Sequence, residues 1–552
     1  MKPHQVLLKI IDGKSLAAAI LSGLLVLALS YLLEEHRAKA EQIRQAGLDL
    51  QTADSLAREE NSVPDAIRYY NDALSKLSKK EDAPYYADAE TGLALCYLSQ
   101  AQKNNDPKAA QQAVDSLKEV VELLKKIYGK NPQDAARIKV SKVWNALGDS
   151  LSVLSDIKEK VPYLEDCVDL YTAALNASMG QKDPELSATI WMNLGFSYMR
   201  LAEETDRLEN SKRALAADQE ALKYFTPQEH PVQYVKLTNS IGKAFVNLSE
   251  GSAMGENLKK ALDAYNEALK IATLDSYPED YALTQMNIGE ALARWYQVQN
   301  NREVLTGSLR AFHDSLLVFK NDTHPYYYAS IQNDIAKILS FMFEHERKVG
   351  LLDQALEAEK EAMKVFKPDT YPYNYLLIKL VTGNIFGLYA SVKDPKTNYP
   401  NAITNYDDAL NVCSLEKYPN DYAKLNYDLS IVCGRLAPLQ DRRQNALAAV
   451  KFCQETLKVW TADKFPLDHA AAQLNLAHDF ILLSKLPGGD RAKAEALQAY
   501  AAAAAVYQSQ NLTQQYRMVL KWMNLLKKGN ATEGSFPSVI DTGANHSPGT
   551  HL

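Results

Sequence analysis

The chain has 552 residues, with 61 Lys plus Arg against 68 Asp plus Glu and a net charge of −7. That balance excludes a generic nucleic-acid binder, which needs a basic excess to neutralise phosphates. A content of 46% hydrophobic and 23% charged residues excludes a highly charged disordered chain, and glycine (23) and proline (21) are too sparse for collagen or a low-complexity linker protein.

Residues 15–33 (SLAAAILSGLLVLALSYLL) carry no charge over 19 positions. At about 1.5 Å per helical residue such a run just spans a bilayer core of about 30 Å. Lys2, Lys9 and Lys14 precede it against a single Asp12, and Glu34 and Glu35 follow. Positive flanks stay on the cytoplasmic side. The sequence therefore predicts a cytoplasmic segment over 1–14 and a transmembrane signal-anchor helix over 15–33, with the rest extracytoplasmic. In a bacterium this would be a single-pass inner-membrane protein with a periplasmic body. The competing reading is a signal peptide cut at Tyr31, after Ala28 and Ser30, but Leu32 and Leu33 make a poor cleavage region. Ala19 and Gly23 form a small-xxx-small pair through which two anchors could pack as a homodimer.

The next feature is a repeat. Pro184, Pro231, Pro278, Pro325, Pro372, Pro419 and Pro466 are spaced 47 residues apart, and a fixed period of that size means a solenoid or an array. Three residues after the prolines stand Tyr234, Tyr281, Tyr328, Tyr375 and Tyr422, a ladder expected to pack between repeats. Small residues follow at a second fixed place: Gly195, Gly242, Gly289, Ala336, Gly383, Ser430 and Ala477. Further on, Ala214, Ala261, Ser308, Ala355, Ala402, Ala449 and Ala496 mark a second segment. Apolar residues recur between these marks at three- and four-residue spacing, which is helical. Proline suits a helix's first turn, where its missing N–H is not needed, and acids such as Glu185, Glu279 and Asp421 complement the N-terminal dipole. Each unit reads as a first helix, a turn, a second helix and a turn, and the chain as all-α.

These residues resemble the tetratricopeptide-repeat family. Trp191, Leu194, Gly195 and Tyr198 fit its first-helix signature W-x2-L-G-x2-Y. Ala261, Tyr265 and Ala268 fit the second-helix signature A-x3-Y-x2-A, as do Ala66, Tyr70 and Ala73, Ala402, Tyr406 and Ala409, and Ala496, Tyr500 and Ala503. The family's unit is about 34 residues, so both ends of each hairpin here look extended, as in the long-hairpin variety. The resemblance implies an α-solenoid superhelix of about ten helix-turn-helix hairpins over 36–510. A capping helix is expected over 511–528, since a terminal repeat otherwise exposes an apolar face. A disordered polar tail is expected over 529–552.

Chemical motifs fail one by one. Gly148-Asp149-Ser150-Leu151 spells an esterase signature, but Gly148 holds the repeat's small position inside a helix. Gly13-Lys14-Ser15 lacks the first glycine of a phosphate loop, because position 8 is Leu8. Gly488 and Gly489 read as turn glycines. The ten histidines form no zinc motif, and Cys96, Cys167, Cys413, Cys433 and Cys453 form no CxxC. They read as buried thiols, with a bridge between Cys433 and Cys453 left open. No catalytic residue, metal or cofactor is expected.

By the same resemblance, first helices line the inner face of the superhelix. The positions 5, 8, 12, 15 and 16 after each proline then face a partner. In the middle copies these give Lys236, Asn239, Lys243, Met286, Arg294, Asn333 and Lys337, with Glu290 among them. Later copies give the more apolar Leu377, Leu380, Tyr427, Ile431, Leu474 and Ile481. Mixed Asn, Lys and Arg suit a peptide's backbone or acidic groups. The sequence thus predicts a membrane-anchored, non-catalytic scaffold for a protein or peptide partner. The alternatives are a self-assembling envelope protein or a secreted soluble one.

Overall fold

The computed structural model describes residues 13–528, apart from 105, 129–133, 156–159, 179–182 and 252, with side chains from Leu24 onward. The described residues are helical, with no strand among them. They fall into two compact units that divide between residues 252 and 253. The first holds α1 (Gly13–Leu56), α2 (Val63–Lys76), α3 (Ala83–Asn104), α4 (Pro107–Tyr128), α5 (Asp134–Ser155), α6 (Lys160–Ser178), α7 (Pro184–Glu204), α8 (Arg207–Ala221) and α9 (Pro231–Leu248). The second holds α10 (Met254–Leu269), α11 (Pro278–Gln299), α12 (Arg302–Ser315), α13 (Pro325–Glu346), α14 (Val349–Val365), α15 (Pro372–Ala390) and α16 (Pro395–Leu410). It continues with α17 (Pro419–Leu436), α18 (Arg442–Thr456), α19 (Pro466–Ser484), α20 (Asp490–Ser509) and α21 (Thr513–Lys527).

Each of the seven prolines picked out from the sequence opens a helix, which places it where no N–H is needed. Where the preceding side chain can cap, it does: Asp183 Oδ1 accepts from the Leu186 amide at 3.0 Å at the start of α7. In the hairpins of the second unit the turn between the two helices uses one left-handed residue. Asn300, Arg347, Asp394 and Asp441 have φ of 47°, 51°, 45° and 44°, and Gly488 stands at the equivalent place with φ 78°. Asn and Asp are the residues that follow glycine in tolerating this conformation, so Arg347 is the one whose side chain does not suit it.

Hairpins close by a ring against a small residue. The Phe312 ring of α12 lies over Gly289 of α11, Tyr406 of α16 over Gly383 of α15, and Tyr171 of α6 over Gly148 of α5. Where the ring is tyrosine, its hydroxyl reaches the next residue of the first helix. Tyr171 Oη donates to Asp149 Oδ1 at 2.7 Å, and Tyr406 Oη to Asn384 Oδ1 at 2.6 Å. Three hairpins break this rule. Asp218 of α8 and Glu359 of α14 occupy the ring position as fully buried carboxylic acids, and Cys453 of α18 as a fully buried thiol. Glycine or alanine still faces the two acids: Gly195 sits against Asp218.

The core of the first unit runs through Leu117, Leu124, Leu154, Tyr171 and Ile190. That of the second runs through Ile331, Phe343, Leu376, Ile385 and Leu429 and continues to Tyr500 and Trp522, whose rings are 6.0 Å apart between α20 and α21. The ladder tyrosines, expected to pack between repeats, are half-buried. Tyr328 and Tyr422 bind within their own hairpins, donating to Glu361 and Glu455 of the second helix at 3.1 Å each. All five cysteines are free and buried, Cys433 and Cys453 included. Ser150 is fully buried and donates to the Ala146 carbonyl at 2.8 Å, so the esterase-like tetrapeptide is helix packing.

The expected membrane-spanning anchor over 15–33 is overturned, and with it the single-pass inner-membrane placement. Among the described residues no helix is long and apolar enough to cross a membrane. The run belongs to α1, which continues without a break through Glu34 and Glu35 into the first hairpin. There Ala46 and Ala53 are fully buried, Ala46 among Ala73, Leu77 and Ala89. Residues 1–12 of the cytoplasmic segment, the Ala19 and Gly23 side chains and the tail over 529–552 lie outside the described residues.

Candidate functional site

The face candidates fall in both units, and the structure sorts them. In the first unit, Lys236 is exposed on α9 and Asn239 is buried. Lys243 pairs with Glu203 of α7 at 2.6 Å, a carboxylate that Lys160 also reaches at 3.2 Å. In the second unit, Met286 is half-buried against the core and Arg294 is half-buried on α11. Tyr427 is a core side chain, 2% exposed, with its ring 5.3 Å from that of Trp460. It presents nothing to a partner. Its buried hydroxyl has no hydrogen-bond partner, so Tyr427→Phe is expected to leave stability unchanged or raise it by up to about 1 kcal/mol, checked by denaturant titration.

Asn333 and Lys337 meet at one place, with Glu290 and Leu377 of the same set of offsets. They line a cavity of about 220 Å³ between α11, α13 and α15. Glu290 and Ala293 supply the α11 wall, Ser330, Asn333, Asp334, Lys337 and Ile338 the α13 wall, and Asn374, Leu377 and Ile378 the α15 wall. Phe312 and Phe366 complete an apolar side. A space of this size is below that of drug-sized ligand pockets, about 300–1,000 Å³, and matches one side chain better than a cofactor.

The cavity sits where two successive hairpins lack the tyrosine hydroxyl. On α11–α12 the ring is Phe312, which has no hydroxyl to bind Glu290, the residue after Gly289. On α13–α14 Glu359 replaces the ring, and the residue that elsewhere accepts a tyrosine hydroxyl is Lys337. The Asn333 amide is oriented by its neighbours. Turned to satisfy both, its Nδ2 donates to Glu359 Oε1 at 3.1 Å and its Oδ1 accepts from Lys337 Nζ at 3.1 Å. Lys337 Nζ also lies 2.9 Å from Asp334 Oδ1. The second Glu359 oxygen, Oε2, has no partner.

Burial opposes the charge of Lys337, but Asp334, Glu359 and Glu290 outweigh it, so its pKa is raised and it stays an ammonium. Burial pushes Glu359 well above the usual carboxylate range, Asp334 adds to this, and Lys337 opposes it. Asp334 therefore holds the ammonium, and Glu359 favours the neutral acid. Further along the same face, burial lowers Lys424 of α17 with help from Lys337. Burial also raises Asp428 to about 6 against the pull of Lys424.

Sequence reasoning named Asn333, Lys337 and Glu290 here but missed Asp334, Lys424 and Glu359. Lys424 stands at one of the chosen offsets in a copy read as apolar, and Asp334 lies one residue beyond a chosen offset. Glu359 shows in sequence as a failure of A-x3-Y-x2-A at Ala355 and Ala362. Among the described residues, no group of His, Cys, Asp and Glu is placed to hold a metal ion.

No family model matches the chain, and no curated protein matches it. Among solved structures, the apo form of the quorum sensor NprR from B. thuringiensis is similar over 73% of this chain and 97% of its own, at 15% identity and a TM-score of 0.44. A Rap protein complexed with competence and sporulation factor is similar over 77% of this chain and 99% of its own, at 12% identity and 0.42. The apo form of RapI is similar over 76% and 98%, at 13% identity and 0.41.

Proposed function

We propose that the protein is a non-catalytic binding protein that receives a segment of a protein or peptide partner on the first-helix face of its second unit. The observation that carries this is the cavity between α11, α13 and α15, with polar side chains from three hairpins on one side and Phe312, Phe366 and Leu377 on the other. Such a mixed concavity fixes a peptide by its polar groups while burying part of a side chain.

Filling the cavity tests this. Asn374→Trp is expected to weaken capture of the partner by about tenfold or more, measured by quantitative pull-down with the full chain. Lys364→Trp, on the exposed side of α14, is expected to leave capture unchanged. Equal capture by both folded variants would remove the site from this face. Capture of a second copy of this chain alone would make the partner the protein itself.

A further inference from the structure

We infer that the cavity between α11, α13 and α15 takes an uncharged, hydrogen-bonding side chain of a partner segment, a carboxamide such as glutamine carries. This rests on the peptide-binding reading above and names what that peptide must present. Three charged groups line the cavity, Glu290, Asp334 and Lys337, and each is already engaged. Lys337 Nζ lies 2.9 Å from Asp334 Oδ1 and 3.1 Å from the Asn333 carboxamide oxygen. Glu290 has an interaction of its own, as does Arg294 one turn further along α11. Glu359 lies behind Asn333, outside the lining, and burial favours its neutral acid.

Two lining side chains stand apart from these. Among the described residues, none donates to or accepts from the Ser330 hydroxyl of α13 or the Asn374 carboxamide of α15. Both are half-buried, and neither carries a charge. They are the polar groups left to meet an occupant. A charged head brought here would leave water for a wall whose charges already have partners, which opposes its burial. A purely apolar side chain would cover Ser330 and Asn374 without replacing their hydrogen bonds to water.

A carboxamide meets both demands. It carries a carbonyl acceptor and two N–H donors on one planar tip, and the Asn374 carboxamide offers the matching donors and acceptor. The Ser330 hydroxyl serves in either sense. Asn333 gives one N–H to Glu359 Oε1 and takes the Lys337 ammonium on Oδ1, which leaves it a second N–H and a second lone pair. A hydroxyl tip has a single donor and spans fewer of these groups. The aliphatic stem of glutamine has Leu377, Ile378 and the Phe312 and Phe366 rings to pack on. A site built on hydrogen bonds to its occupant rejects an analogue that lacks them far more strongly than apolar contact does. Specificity is then set by Ser330, Asn333 and Asn374, with the Lys337–Asp334 pair holding Asn333 in place.

The test uses the full-length protein with methyl-labelled isoleucines and four capped tripeptides, acetyl-Ala-X-Ala-amide, with X as glutamine, glutamate, arginine or norleucine. Ile338 and Ile378 line the cavity and report its occupation. The expected result is a saturable shift of their methyl signals with glutamine, at an affinity about tenfold or more above the other three. Asn374→Ala should weaken the glutamine peptide by about tenfold and leave the norleucine peptide unchanged. Binding of the glutamate or arginine peptide as tight as that of glutamine would overturn the uncharged reading while leaving the face a peptide site. Equal binding of norleucine would overturn the hydrogen-bonding reading in favour of an apolar occupant. No response to any tripeptide would also overturn the inference. The proposed function falls separately, if filling the cavity leaves partner capture unchanged. Glutamine and glutamate are nearly the same shape, and their comparison needs no variant, so it stands even if Asn374→Ala disturbs folding.

Discussion

Gly289→Ala is expected to destabilise the α11–α12 hairpin by about 2 kcal/mol, despite alanine's better helix propensity. The added methyl would lie 2.6 Å from Phe312 Cε1, with two further ring atoms within 2.8 Å. The ring is 1% exposed and packed in the core, so a shift large enough to admit the methyl would disturb its other contacts. Overpacking of this kind costs about 1–3 kcal/mol, and the gain in helix propensity returns less than about 1 kcal/mol. Amide hydrogen exchange across α11 and α12 reads the loss locally, which matters in a chain of two units where a single unfolding midpoint is ill-defined. Pairing the change with Phe312→Leu should recover much of the loss, because the two substitutions act on one contact. Independent, additive effects would show that the ring-on-glycine contact does not close the hairpin.

The second large effect concerns Asp218. It is fully buried, both its oxygens lack hydrogen-bond partners, and burial raises it to about 7, with Ser240 opposing. The native state then binds this proton more tightly than the unfolded chain does. Stability contributed by the neutral acid is present in full below the unfolded value near 4 and is lost as pH rises toward 7. The difference is worth at most about 4 kcal/mol. Asp218→Asn should flatten the fall between pH 4 and 7 and raise stability at pH 8 by about 2 kcal/mol, since asparagine leaves its own buried donors short of partners. Asp149, raised to about 6 by burial against bonds from Tyr171 and Asn145, will keep some slope in the same unit. Denaturant titrations from pH 4 to 8 check this. A slope unchanged by Asp218→Asn would mean that Asp218 is not the titrating group.

The origin of these effects was visible in the sequence to different degrees. Helix starts were legible because proline has one comfortable place in a helix, and Pro231 to Pro466 all open one. Small residues such as Gly289 and Gly383 were legible as close contacts because a fixed period repeated them. The left-handed turn residues were only partly legible: Asn300, Asp394 and Asp441 are of the type that tolerates a positive φ, but Arg347 at the same place is not. The division between the two units was not legible, because the repeat runs past it from Pro231 to Pro278.

The N-terminal run misled for a related reason. Local apolarity describes one stretch, but α1 carries that stretch on into a packed hairpin. At the candidate site, register alone selected Asn333 and Lys337. It also selected Tyr427, because offset does not distinguish a face from a core when neighbouring hairpins close over it. Glu359 required the opposite inference, from a residue that breaks the second-helix pattern between Ala355 and Ala362.

The central claim is that the first-helix face of the second unit is where a partner sits. The most direct measurement places a photo-crosslinking amino acid at Asn374, on the cavity wall, and separately at Lys364, on the exposed second-helix side. Partner peptides joined at Asn374 and absent at Lys364 are the predicted result. Peptides joined at Lys364 instead, or at neither position while the partner is still captured, would contradict it.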